Sequence, residues 1–197
     1  MIQLSLYEKQ ESLDVLNYQI RACKNCGLHL TRLHSLAGEG NMNSPVMFVA
    51  LSPGEKENAE NKMFIGPSGQ VFNKLLQAAG IQRESVFMTN LVKCMLPKNR
   101  KPKMDEIEAC SPFLEEEISI INPEIIVPLG AYATNAIITK FNLHNVSFGM
   151  NFSSLNGKIL EKNNQKIYPL PHPAALLYNP RFKFNTIEKY RMLKKYL

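Results

Sequence analysis

Short apolar runs alternate along this chain with longer segments that have helical spacing, and that alternation restricts the fold more than any other feature. The runs are Val46-Met47-Phe48-Val49-Ala50, Val86-Phe87-Met88-Thr89-Asn90 and Ile125-Ile126-Val127-Pro128-Leu129. They are too short for buried helices and too continuously apolar for half-exposed strands, so they read as strands covered on both faces. Helices are expected from Leu4 to Ala22, where Leu13, Leu16 and Ile20 share one face, from Gln70 to Ala79, from Met104 to Ile121, from Gly130 to Lys140 and from Thr186 to Leu197. Gly66-Pro67-Ser68-Gly69 opens the second of these and Gly80 stops it. Lys158–Glu161 and Lys166–Leu170 read as two further strands around Asn163-Asn164, and Thr31–Ser44 and Glu55–Lys62 read as loops. Strands alternating with helices predict an α/β fold, a three-layer αβα sandwich on a mainly parallel four-stranded sheet.

Composition narrows the class. Of 197 residues, 45% are hydrophobic and 20% charged, too apolar for a disordered chain. No apolar run approaches the roughly 18 residues of a membrane span. Met1-Ile2-Gln3-Leu4 lacks the basic start and apolar stretch of a secretory signal, so a cytoplasmic, monomeric protein is expected. Neither a repeat nor a low-complexity linker divides the chain, and a single domain over 1–197 is expected. A domain of that size folds without disulfide staples.

The cysteines therefore need another explanation. Cys23 and Cys26 form Cys-x-x-Cys, and Cys94 and Cys110 lie far away in sequence. In a reducing compartment such thiols serve as metal ligands or catalysts more often than as disulfides. Four thiolates suit either tetrahedral zinc or an iron–sulfur cube. A redox Cys-x-x-Cys with two buried structural cysteines is the plainer alternative, and an electron carrier or redox sensor follows from the cysteines alone. Arg21 and Lys24 flank the first pair and would offset the charge of a cluster.

Ligands of open parallel sheets sit beyond the carboxyl ends of the strands. Three strand ends are distinctive here: Leu51-Ser52-Pro53-Gly54, Asn90 and His172. Gly54 lets a flat ligand approach the main chain, although the segment could serve only as a turn. Asn90 offers an acceptor beside two donors, enough to read a carbonyl next to an N–H. Phe64 can stack on a flat ligand or plug the core. His172 lies between Pro171 and Pro173, a costly constraint for an ordinary loop histidine. His29, His34 and His144 lack such context and read as surface or structural. Gly66-Pro67-Ser68-Gly69 can hold a phosphate at a helix start. Basic residues gather at Lys98–Lys103 and again from Arg181 to Lys195; the net charge of +6 suits a partner rich in phosphate.

Taken together, these motifs resemble the family 4 uracil-DNA glycosylases, the iron–sulfur branch of that superfamily, from about Cys23 to Pro180. The family's Gly-Glu-(Ala/Gly)-Pro-Gly is matched by Ala50-Leu51-Ser52-Pro53-Gly54, and its Pro-Phe-Val-Gly-x-Ala-Gly by Met63-Phe64-Ile65-Gly66-Pro67-Ser68-Gly69. Thr89-Asn90-Leu91-Val92-Lys93-Cys94, Pro97-Lys98-Asn99-Arg100-Lys101-Pro102 and His172-Pro173-Ala174-Ala175-Leu176 match three more motifs in the family's order. The resemblance implies an enzyme that flips uracil out of DNA and hydrolyses its N-glycosidic bond, leaving an abasic site. It implies that Cys23, Cys26, Cys94 and Cys110 bind one structural [4Fe-4S] cluster, with zinc the lesser alternative. It implies that Phe64 stacks on the flipped base, Asn90 reads its Watson–Crick edge and His172 bonds uracil O2, with Leu51 and Gly54 also against the base. Ser68, Arg100 and Arg181 would contact DNA, and Ala174–Asn179 would enter the duplex with Leu176 or Leu177 as wedge. Leu51 stands where the family has Glu and Ser52 where it has Ala or Gly. That leaves Glu57, and more weakly Ser52, to orient water or stabilise the cation. Leu51 also motivates an alternative, a damaged-base or abasic-DNA binding protein of the same fold with weak or altered-base activity.

Overall fold

The computed structural model describes residues 5–143 and 151–197. His144 and Leu4, the expected first residue of the first helix, lie outside the described residues. Among these, six strands form one sheet: β1 (Glu39–Gly40), β2 (Val46–Ala50), β3 (Phe87–Asn90), β4 (Ile125–Pro128), β5 (Leu160–Lys162) and β6 (Gln165–Ile167). Their order is β1-β3-β2-β4-β6-β5. The inner four run parallel, and the outer two pair antiparallel, β1 with β3 and β5 with β6. The inner four are the mainly parallel sheet expected, and β1 and β5 widen it by one antiparallel strand at each edge. β1 falls inside the segment read as a loop, because a two-residue exposed strand has no periodicity to detect. Asn163 and Asn164, both at positive φ (51° and 65°), make the tight β5–β6 turn.

The helices are α1 (Leu6–Ala22), α2 (Glu55–Glu60), α3 (Pro67–Ala79), α4 (Met104–Ile121), α5 (Ala131–Lys140), α6 (Phe152–Leu155), α7 (Ala175–Tyr178) and α8 (Lys183–Arg191). Ser5 and Glu8 cap α1 reciprocally. The polar stretch read as a loop is α2, with Glu55 and Glu57 in its first turn and Asn61 in the left-handed region at its end. With no apolar stripe, α2 escapes a search for periodicity. Pro67 starts α3 three residues earlier than expected, since its missing N–H costs nothing in a first turn. The last helix begins at Lys183 rather than Thr186 and gives way to a 3-10 turn over Met192–Tyr196.

Alternating side chains of each inner strand supply two cores. Met47, Val49, Phe87 and Ile126 face Leu13, Leu16 and Ile20 of α1, Leu114 and Ile118 of α4 and Ile137 of α5. Val46, Phe48, Met88 and Val127 face Phe72, Leu75 and Leu76 of α3 and Tyr190 of α8. Helices on both faces of a parallel sheet make the αβα sandwich. Lys9, buried on α1, donates to the carbonyl of Ile121 at the end of α4 (3.2 Å), so α1 is pinned by a hydrogen bond as well as by packing. No helix among the described residues is long and apolar enough to cross a membrane.

Candidate functional site

A cavity of about 610 Å³ opens at the carboxyl ends of the parallel strands. Leu51, Ser52, Gly54, Glu57, Phe64, Asn90 and His172 all line it, as do Ser68, Arg100, Ala174 and Leu177. Three connections meet there because parallel strands end on one edge of the sheet: the turn after β2, the end of β3, and the segment beyond Leu170, which bridges to Leu129 in parallel.

Asn90 is the last residue of β3 and is buried, with its Nδ2 donating to Met63 Sδ at 3.2 Å. Phe64 is buried at φ 54°, an unusual conformation for an aromatic residue. Its ring stacks on Phe72 with centroids 4.2 Å apart. Gly69 makes this possible, since a Cβ there would lie 2.1 Å from the Phe64 carbonyl carbon. Phe64 is thus backed by the core on one side and borders the cavity.

His172 is half-buried. Burial pushes its imidazole below the ordinary 6.5, and the Glu57 carboxylate works against that shift. The Ala174 N–H points at His172 Nδ1 at 3.3 Å. That nitrogen must then accept, which puts the proton of a neutral ring on Nε2. Glu57 is buried and accepts the Gly66 N–H through Oε1 at 2.8 Å. A Cβ on Gly54 would lie 2.6 Å from Glu57 Oε2, and one on Gly66 2.9 Å from it, so both glycines make room for this carboxylate. Leu51 packs against the first core and leaves its position without a carboxylate.

On the rim, Leu177 is exposed, whereas Leu176 packs against the second core and does not border the cavity. Arg100 borders the cavity with its guanidinium already held by both oxygens of Glu106. Arg181 lies outside the cavity lining, exposed in the 3-10 turn Pro180–Phe182. His29 Nδ1 donates to the Cys26 carbonyl (2.7 Å), and His34 is exposed. Sequence reasoning did not single out two features, although the first falls in the Ala174–Asn179 segment expected to enter the duplex. Tyr178 also borders the cavity. Beneath the site Lys93 and Glu117 form a fully buried ion pair at 2.6 Å. Lys93 Nζ also donates to the Asn90 carbonyl (2.9 Å) and Thr89 Oγ1 (2.7 Å). The apolar setting of Lys93, next to Val92 at a strand end, was the available signal.

All four cysteines are free thiols and line one pocket with Arg32, Lys93 and Phe113. No three His, Cys, Asp or Glu among the described residues are grouped to hold a single metal ion. Arg32 Nη1 donates to Cys94 Sγ at 3.1 Å, and its other nitrogen holds the Cys23 carbonyl at 2.7 Å. Burial raises the Cys94 thiol against that Arg32 bond, and raises Cys110 to about 11. The pocket therefore offers two buried cysteines, Cys94 and Cys110, and two half-buried ones, with the Arg32 cation beside Cys94.

Residues 37–195 match the family model described as the Uracil DNA glycosylase superfamily. The chain is 38% identical over 192 residues to the type-4 uracil-DNA glycosylase of Saccharolobus solfataricus, covering 95% of this chain and 87% of that one. It is 37% identical over 176 residues to the type-4 uracil-DNA glycosylase of Thermotoga maritima, covering 88% of each. The type-5 uracil-DNA glycosylase of Pyrobaculum aerophilum is 28% identical over 155 residues, 71% of this chain and 66% of its own. With a family match over most of the sheet and helices that build the cavity, and with type-4 relatives matching nearly end to end, the chain belongs to the uracil-DNA glycosylase superfamily, in its type-4 family.

Proposed function

We propose that this chain is a single-domain, monofunctional DNA repair enzyme that extrudes uracil from DNA and hydrolyses the bond between uracil N1 and the sugar C1′. The observation that carries this is the meeting of Phe64, Asn90 and His172 in one cavity. A ring backed by Phe72 stacks on the base, the Asn90 amide matches its edge, and the His172 Nε2–H reaches O2. Leu51 and Gly54 shape the remaining wall. Extrusion costs a few kcal/mol, which these contacts and a wedge such as Leu177 offset. Ser68, Ala174 and the basic groups Arg100 and Arg181 lie toward the DNA.

As the N1–C1′ bond breaks, its electron pair goes to the base and positive charge develops on the sugar. A preorganised neutral donor at O2 stabilises the departing anion, typically by about 3 kcal/mol. Water then bonds to C1′ and gives up a proton. Glu57 is the buried carboxylate at the cavity and suits that water or the cation, with Ser52 as a weaker orienting group.

The cysteine pocket suits a cluster. Its lining includes all four cysteines, and a cube takes each thiolate on a different iron. When bound, a [4Fe-4S] cluster at Cys23, Cys26, Cys94 and Cys110 supplies structural cross-linking. A brown protein with broad visible absorbance supports iron–sulfur; a colourless zinc protein overturns it.

The decisive assay incubates the protein with a uracil-containing oligonucleotide and cleaves abasic sites with alkali. Strand breaks are expected, reduced about 100-fold or more in H172A. No breaks above the H172A background would overturn the glycosylase reading. Leu51 at the cavity wall favours one second reading, a binder of damaged or abasic DNA with weak turnover. Tight binding without cleavage in the same assay identifies it.

A further inference from the structure

Every residue from 177 to 185 is exposed. Within that stretch Tyr178 is 83% exposed, Phe182 55% and Phe184 73%. Three large aromatic side chains left in water within seven residues of chain mark a surface that meets something. The backbone beneath them is fixed: Phe182 N–H donates to the Asn179 carbonyl, and its own carbonyl accepts the Thr186 hydroxyl at 2.9 Å. Arg181 and Lys183 alternate with the rings, and neither makes an ion pair among the described residues. Arg100, by contrast, is committed to Glu106. The stretch is continuous with the cavity, since Leu177 and Tyr178 border both. A second exposed aromatic face, Tyr7 and Tyr18 on α1, lies among Glu8, Glu11 and Asp14, and nothing indicates what covers it.

Rings interleaved with free cations match the chemistry of an unpaired nucleic-acid strand, whose bases offer π faces and whose phosphates offer charge. A duplex hides its base faces and would leave these rings wet. We propose that Tyr178, Phe182 and Phe184 form a stacking platform for unpaired bases beside the flipped nucleotide, with Arg181 and Lys183 holding the phosphates. The enzyme would thereby grip single-stranded DNA. This rests on reading the cavity as a uracil pocket.

The test uses a fluorescent, uracil-free thymine oligonucleotide and a matched duplex, with binding followed by anisotropy. F182A/F184A is expected to weaken single-strand binding by roughly 5- to 100-fold per ring, with a smaller effect on the duplex. F182W/F184W should restore binding and F182L/F184L should not, since leucine keeps the apolar area but lacks a π face. R181Q/K183Q should flatten the slope of log Kd against log salt by about 1.4. Unchanged single-strand binding in F182A/F184A overturns the platform and leaves the patch to a protein partner; full rescue by leucine also overturns it. Uracil release by the wild type is scored separately. Release with unaltered F182A/F184A binding sinks the platform alone, and ring-dependent binding without release sinks the glycosylase reading alone.

Discussion

At the scale of single residues, His172 joins geometry to titration. Its charged form is disfavoured by burial, so its folded pKa lies below 6.5. Between the two values the unfolded chain binds more protons, and stability is whole above pH 6.5 and falls as pH drops below it. Wild type should therefore lose more melting temperature than H172Q between pH 6.5 and about pH 5. Equal losses would show that the ring does not titrate with folding. Tyr190 makes a different case. Its hydroxyl is fully buried with no hydrogen-bond partner among the described residues, and burial drives its pKa far upward. The ring packs beside Phe48 and Phe72. Y190F keeps that packing and removes an unpaired polar group, so a gain of about 1 kcal/mol is expected, read as a rise of about 2–4 °C in Tm. A fall would reveal a partner for the hydroxyl. Neither the tautomer of His172 nor the setting of Tyr190 was legible in the sequence, because the first depends on how the turn through Pro173 aims the Ala174 N–H and the second on which groups packing brings to the hydroxyl.

At the scale of elements, the Lys93–Glu117 pair ties the end of β3 to α4. Glu117 Oε2 accepts from both Lys93 and Thr89, and Oε1 accepts from the Gly38 N–H at 2.8 Å. Removing one partner of such a pair leaves a buried charge, a loss of about 3–5 kcal/mol, whereas replacing both with apolar groups is often neutral. K93M is expected to melt roughly 10 °C lower, and K93M/E117L to recover most of that. Failure of the double variant to recover would mean that the Asn90 and Gly38 contacts, rather than the unpaired charge, dominate. The inner strands and long helices were legible from their apolar spacing. The short polar helix α2 and the two-residue β1 were not, because Gly54 with two acids starts the one, and pairing with β3 alone creates the other.

At the scale of the whole molecule, the cysteines join parts that lie far apart in the sequence: the turn after α1, the loop after β3 and α4. A centre held by all four would add its binding energy to folding. Chelation should lower the Tm of the wild type and leave that of C110A nearly unmoved; equal responses would place the metal elsewhere. By itself the sequence determined the parallel α/β core, because periodicity is a local property of neighbouring residues. It also identified the candidate residues of the cavity, because their motifs are contiguous. Only the tertiary structure decided that Glu57 lies against Gly54 and Gly66, that Leu176 turns inward while Leu177 stays exposed, and that Arg100 is paired while Arg181, among the described residues, is not. The Glu57 and Arg100 contacts span only a few residues, but they exist only once a loop and a helix have taken one particular shape, and the choice between Leu176 and Leu177 depends on which face of a short helix meets the core.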